Sequence, residues 1–150
     1  MIKKLKDNKG IVVADALVAF LIIAIFTGLI ITLTYNIYIS ANFTKRNSAA
    51  VNYGVNIIEY IEKTDYSNIT EENLIKYVNE NLDEKVSAEI AKNQSNLTTP
   101  YKVILEVQKY NETEGNEEKQ DLIKTIRVKV KYNLGDSEKE VNFEKIKKQI

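Results

Sequence analysis

The feature that most constrains this chain is an apolar run from Ile11 to Phe43, in which Asp15 carries the only formal charge. The part from Ala16 to Tyr35 alone supplies the roughly 20 apolar residues that a helix needs to cross a bilayer. An ordinary secretory signal has an apolar core of about 7 to 15 residues followed by a small-residue cleavage site, and this run fits neither. We therefore expect a membrane-spanning helix.

The single acid of this run needs a cationic partner. An unpaired carboxylate costs about 2.5 to 3.5 kcal/mol at mid-bilayer on insertion scales, and less toward the interface. If a peptidase cut the chain after Gly10, the new α-amine of Ile11 would lie one helical turn from Asp15 and could neutralise it. The head that precedes this point is basic, with Lys3, Lys4, Lys6 and Lys9.

The stretch KGIVVADALVAFLIIAIF, which begins at Lys9, resembles the N-terminus of type IV prepilins with their class III signal peptides. These precursors have a short basic leader ending in Gly, then an apolar residue, and an acid five positions into the mature chain. The resemblance implies that a prepilin peptidase cuts after Gly10 and N-methylates Ile11. It also implies that Asp15 pairs with the N-terminal amine of a neighbouring pilin subunit, while the apolar helices bundle in a filament core.

Two positions depart from the family pattern. The family usually has Phe or Met in place of Ile11, although Ile is tolerated, and Glu in place of Asp15. Because Asp is one methylene shorter than Glu, the second departure bears on the strength of pairing between subunits. The continuation ALVAFLIIAIF is similar to the minor pilin and minor pseudopilin branch. A plain single-pass anchor with an acid by chance is the alternative.

The charges of the leader indicate how the helix is oriented. The leader has four Lys and one Asp, so its charge of +3 leaves −3 on the rest of a chain that is neutral overall. By the positive-inside rule, the N-terminus is expected to be cytoplasmic before cleavage and the C-terminal bulk to lie outside. The resemblance implies residence in the cytoplasmic membrane and then in a surface filament (fimbrium). It also implies, as partners, the prepilin peptidase, other pilin subunits and the inner-membrane assembly platform.

The helix is expected to continue into water as far as Lys63, because the only proline of the chain is Pro100. Beyond Phe43 an apolar stripe recurs at helical spacing, and we interpret it as core packing against a sheet: Ala50, Val51, Gly54, Ile57, Ile58 and Ile61. We thus divide the chain into a leader (1–10), a transmembrane or filament-core half of the helix (11–43) and an extracytoplasmic globular pilin-like domain (44–150).

The remaining pattern predicts an α+β fold, in which the long helix packs on a small antiparallel β-meander in a pilin-like arrangement. A second helix is expected to begin after Thr70 as N-cap and to end near 81–85. Val86–Ile90 fits either helix or strand, and 93–99 reads as a loop. Alternating residues over 101–108 and 122–132 predict two strands.

A turn at Gly135-Asp136 would set the register of the last hairpin. It pairs Val130 with Val141 and Val128 with Phe143 on the core face, and on the other face, expected in water, Lys131 with Glu140 and Arg127 with Glu144.

Composition argues against catalysis. Without His or Cys, the chain cannot form a Ser-His-Asp triad, a Cys-His dyad or one of the usual zinc sites, and it has no glycine-rich phosphate loop. The acidic segment Asn111–Asp121 lacks the residue order of a calcium loop, so a solvated loop is favoured. We predict no enzyme, no catalytic residue, no cofactor and no metal, and no basic stripe predicts nucleic-acid binding.

The functional expectation is a structural subunit of a type IV pilus or related filament, with a minor pilin favoured over a major one. Two alternatives stay open. One is a pseudopilin of a type II secretion or competence system, and no residue of this sequence distinguishes such a pseudopilin from a pilin. The other is a non-polymerising, single-pass membrane-anchored binding module. The absence of Cys, with heavy use of Lys, Asn and Ile, favours a Gram-positive bacterial source.

Overall fold

A single helix dominates the N-terminal part of the chain. The computed structural model describes residues 2–91, 99–109, 123–135 and 137–149, with side chains from residue 12 onward. Helix α1 runs without interruption over Ile2–Lys63. The chain divides into two compact units, a helical unit (Met1–Asn42) and a globular unit (Phe43–Ile150), and α1 runs through both. The predicted loop Asn111–Asp121, most of the predicted loop at 93–99, and Asp136 lie outside the described residues.

The second helix begins and ends where the sequence predicts. A short 3₁₀ turn, Tyr66–Asn68, leads into α2, which spans Glu71–Asn81. The Thr70 hydroxyl oxygen accepts a hydrogen bond from the Asn73 backbone N–H at 3.2 Å, as an N-cap does. Two acids in the first turn, Glu71 and Glu72, oppose the positive end of the helix dipole. The predicted N-cap is therefore confirmed.

Four strands form one sheet in the order β1-β2-β3-β4, with β1 at Val86–Ile90, β2 at Tyr101–Lys109, β3 at Ile123–Leu134 and β4 at Ser137–Lys148. β2, β3 and β4 are antiparallel neighbours, as the predicted meander requires. The predicted α+β class, a long helix packed on a small sheet, is confirmed. The ambiguous segment Val86–Ile90 is a strand and pairs parallel to β2, which makes the sheet mixed. A five-residue pattern carries no sign of strand direction, so the sequence could not reveal this.

The predicted register of the last hairpin is confirmed at every pair. Val130 lies opposite Val141, Val128 opposite Phe143, Lys131 opposite Glu140 and Arg127 opposite Glu144. Gly135 has φ of +60°, the left-handed conformation that glycine adopts without strain.

The ion pairs follow this register only in part. Arg127 Nε contacts its opposite residue Glu144 at 3.2 Å, whereas the lysines reach diagonal partners, Lys129 to Glu140 at 3.5 Å and Lys131 to Glu138 at 2.7 Å.

The core of the globular unit lies between α1 and one face of the sheet. The predicted stripe supplies its helical side, since Ala50, Gly54, Ile57 and Ile61 are buried. The sheet and α2 supply the rest, including Leu74, Val78, Val103, Leu105, Ile126, Val128, Val130 and Tyr132.

One lysine of β2 is buried on the sheet. Lys102 is only 2% exposed, and its ammonium group lies 2.7 Å from a carboxylate oxygen of Glu89. Glu89 belongs to β1, the strand that the sequence left ambiguous, so the partner of Lys102 was not visible in the sequence.

Lysines at one end of the sheet hold the C-terminus of α1 and the turn that follows. Lys147 donates hydrogen bonds to the carbonyls of Ile61 (3.4 Å) and Glu62 (2.8 Å), and Lys145 forms a salt bridge with the Glu62 side chain. The buried Lys124 donates to the carbonyls of Tyr66 (2.8 Å) and Ile69 (3.0 Å). Cations are favourable here, because the last carbonyls of a helix lack partners and carry partial negative charge.

Gly54 tests the fit between α1 and the sheet. A Cβ atom at Gly54 would overlap the ring of Phe143, whereas a Cβ at Gly28 would meet no atom within 4 Å. Overpacking costs about 1–3 kcal/mol and outweighs the helix propensity of about 1 kcal/mol that Ala offers over Gly.

We expect Gly54→Ala to lower the unfolding temperature of the globular unit, measured by tyrosine circular dichroism on heating. Gly28→Ala is the control and should leave it unchanged. Adding Phe143→Leu to Gly54→Ala should restore part of the lost unfolding temperature. If the effects of the two substitutions simply add in the double variant, the contact between Gly54 and Phe143 is contradicted.

Glu62 allows a pH test of the contacts between the end of α1 and the lysines of the sheet. The hydrogen bond from Lys145 and its charge hold the pKa of Glu62 below its ordinary value of 4.5. A lowered folded-state pKa stabilises the fold above the ordinary pKa, and the stabilisation is lost as pH falls through the lowered value. Glu62→Gln should therefore unfold at a lower temperature than the parent at pH 7, and the difference should disappear as the pH falls through the lowered pKa of Glu62.

The control for this test is Glu59→Gln, which removes only an exposed contact of 3.8 Å with Lys63 of the same helix. Such pairs contribute little, so its unfolding temperature should stay close to that of the parent. A difference for Glu62→Gln that persists at acid pH would show that charge is not the cause.

Candidate functional site

The helical unit has an apolar surface that the described residues leave exposed. Every side chain from Val12 to Ala41 is exposed, and large residues such as Phe20 (72%) and Phe26 (60%) show most of their area. The helix is long and apolar enough to cross a membrane by length and composition, with a mean hydropathy of 2.8 in its most apolar part. Exposed apolar area on this scale marks a surface that meets lipid or other proteins.

The threonines of this segment satisfy their hydroxyl groups within the helix. Thr27 donates to the carbonyl of Ile23 at 2.8 Å, and Thr32 and Thr34 donate in the same way, to Gly28 at 2.9 Å and Ile30 at 2.8 Å. In an apolar medium an unpaired hydroxyl is costly, so this bonding lets the segment leave water. Such a bond to the carbonyl four residues back is common for Thr in a helix.

Asp15 is the exception within this surface. Its side chain is exposed, and it has no hydrogen-bond or ion-pair partner among the residues that the structure describes. The structure places Gly10, Ile11 and Asp15 on the same continuous helix, with the backbone of Ile11 four residues, or about 6 Å of rise, before Asp15. The side chains of residues 10 and 11 are not described. The arrangement is an apolar helix with one carboxylate that needs a cation.

The acids on the open face of the sheet are engaged in ion pairs. The hydrogen bond from Asn142 to Glu140 (3.2 Å), with the nearby charge of Lys129, holds the pKa of Glu140 below its ordinary value. Glu106 and Glu144 both contact Arg127, at 3.6 and 3.2 Å. Carboxylates held in the charged form are poor general acids near neutral pH. In the described part of the chain, no group of three or more Asp or Glu side chains is arranged to hold a metal ion.

Comparison with known proteins identified no relative of this chain. No protein-family model, curated protein or solved structure matches the chain. The functional argument therefore rests on the residues themselves.

The apolar surface can be tested by cysteine labelling, because the chain has no Cys of its own and each variant carries a single thiol. Leu29→Cys and Asn52→Cys both replace exposed residues of α1, one in the apolar segment and one beyond it. Lipid nanodiscs leave both membrane faces open to water. In them, a water-soluble maleimide should label the thiol of Asn52→Cys and leave the thiol of Leu29→Cys unlabelled. Denaturation in detergent should make both react. Equal labelling in the nanodisc would show that the segment around Leu29 lies outside the bilayer.

Proposed function

We propose that this protein is a structural subunit of a type IV pilus or a related filament, and that it is a minor pilin. In this proposal the chain waits in the cytoplasmic membrane and is cleaved after Gly10 and N-methylated at Ile11. It then enters a filament whose core is formed by the helices of residues 11–43. The observation that carries the proposal is the exposed apolar surface of the helical unit with one unpartnered carboxylate, preceded by the lysine-rich leader.

The physical argument starts from what Asp15 requires. A carboxylate in apolar surroundings is stable only when a cation is close. Cleavage after Gly10 would create such a cation, the α-amine of Ile11, at a depth close to that of Asp15. If two subunits are offset along their axes, the amine of one can meet the carboxylate of the next. The charge pair would then set the stagger between subunits, and the apolar surfaces on either side would pack against each other.

The same features support the proposed location and partners. The leader lysines favour a cytoplasmic N-terminus before cleavage, and the globular unit would then lie outside the membrane. The proposed partners are the prepilin peptidase, the inner-membrane assembly platform and other pilin subunits. The proposed Gram-positive source rests on composition.

The experiment that tests this proposal is the N-terminal sequence and intact mass of the protein from cells with a working prepilin peptidase. We expect the chain from the membrane and from the sheared surface fraction to begin at Ile11 and to carry one extra methyl group. Cells that lack the peptidase are the control and should contain the full-length chain. A chain that still begins at Met1 when the peptidase is present would contradict the proposal and favour a single-pass anchored module.

Asp15→Asn tests the role given to the carboxylate. Because removing one member of a buried ion pair costs about 3–5 kcal/mol, the amount of subunit in sheared filaments should fall tenfold or more. The unfolding temperature of the globular unit should not change. Asp65→Asn is the matched control, since Asp65 is exposed in the globular unit and makes no side-chain capping bond. Normal incorporation of Asp15→Asn would disprove the charge pairing.

A further inference from the structure

The globular unit contains a groove lined by polar and aromatic side chains. The groove lies between the last turn of α1 and the outer side of α2, with a volume of about 440 Å³. Its lining contains no aliphatic side chain and consists of Tyr60, Thr64, Asn68, Asn73, Lys76, Tyr77, Glu80 and Asn81. A ligand for this groove must therefore offer many hydrogen-bonding groups together with a flat surface for aromatic rings.

Two tyrosines form the aromatic part of the groove. The rings of Tyr60 on α1 and Tyr77 on α2 are stacked, with centroids 3.8 Å apart and an angle of 8° between their planes. Both side chains are half-buried and line the groove, where each ring offers the part that the other ring does not cover. Burial, with the nearby charges of Tyr60 and Glu59, raises the pKa of Tyr77. Its hydroxyl therefore stays protonated and can donate a hydrogen bond over the whole physiological pH range.

Two asparagine side chains of the groove are held by hydrogen bonds to backbone carbonyls. Asn73 Nδ2 donates to the backbone carbonyl of Asn68 at 2.8 Å, and Asn81 Nδ2 donates to that of Tyr77 at 3.1 Å. The Thr64 hydroxyl donates its one proton to the carbonyl of Tyr60 at 2.7 Å. The Oδ1 atoms of both asparagines have no partner among the described residues and remain as acceptors. These acceptors are oriented in advance, so a ligand would not bear the cost of ordering them.

We propose that this groove binds a neutral oligosaccharide. A pyranose ring has a C–H face that packs on an aromatic ring, and hydroxyl groups that both donate and accept hydrogen bonds. The groove supplies acceptors at Asn73 and Asn81 and donors at Lys76 and the tyrosine hydroxyls. Lys76 and Glu80 lie 3.9 Å apart and offset each other's charge, which favours a neutral ligand over an acidic one. Because proline-rich peptides also dock on aromatic-lined grooves, such a peptide is the comparison ligand in the test.

The test measures oligosaccharide binding directly and is independent of filament formation, so its failure would leave the proposed filament role unaffected. The full chain, held in a detergent without a sugar headgroup, is titrated by calorimetry with maltohexaose and with the hexamer of N-acetylglucosamine. A polyproline peptide is the comparison ligand. We expect saturable binding of at least one oligosaccharide at millimolar concentration or below, and no binding of the peptide.

Three asparagine variants locate the binding. Asn73→Ala and Asn81→Ala each remove one acceptor of the groove and should weaken binding by roughly 3- to 10-fold. Asn79→Ala is the matched control, because Asn79 is an exposed residue of the same helix that does not line the groove. The unfolding temperatures of all three variants are measured alongside. Saturable binding that all three variants leave unchanged, binding of the peptide alone, or binding of neither oligosaccharide would overturn the proposal.

Discussion

The structure of this protein depends on the requirement that backbone polar groups be paired wherever water is absent. Helix α1 meets this requirement over Ile2–Lys63 with hydrogen bonds inside one segment, so the backbone of its apolar stretch needs no partner from water or from another segment. The three threonines follow the same rule through their bonds to carbonyls one turn back. Asp15 is the one charged residue of the apolar run, and its carboxylate has no partner among the described residues. The proposed function follows from the requirement of Asp15 for a cationic partner.

In the globular unit the same helix serves a different purpose, as one side of a core. Close approach between α1 and the sheet is possible at Gly54, where the Phe143 ring occupies the space that a side chain would fill. Lysines from β3 and β4 then hold the end of α1 and the turn after it, where carbonyl groups would otherwise lack partners. Packing and electrostatics thus act at different points of the junction, the first at the middle of the helix and the second at its end.

The outer side of α2 carries the asparagines of the proposed binding groove. The hydrogen bonds that orient Asn73 and Asn81 are made to backbone carbonyls at the end of the 3₁₀ turn and in α2. Their geometry therefore results from local folding, and their Oδ1 atoms have no partner among the described residues. Beside the Tyr60–Tyr77 stack, these acceptors make the groove distinct from the ion-paired face of the sheet.

The sequence by itself determined the features that depend on short-range pattern. It specified the long helix, the N-cap at Thr70, the buried stripe from Ala50 to Ile61 and the hairpin register, because apolar periodicity and alternating charge all favour one arrangement. The candidate site at Gly10, Ile11 and Asp15 also lies within one stretch of sequence and needs no tertiary contact to be recognised.

Only the tertiary structure decided the features that join distant segments. The parallel pairing of β1 depends on where its connection returns the chain, and the burial of Lys102 follows from that pairing, because Glu89 comes with β1. Lys147 reaches the end of α1 from more than eighty positions away, and the Tyr60–Tyr77 groove forms where two helices meet. Spacing along the chain carries no signal for contacts of this kind, since they depend on how the elements pack.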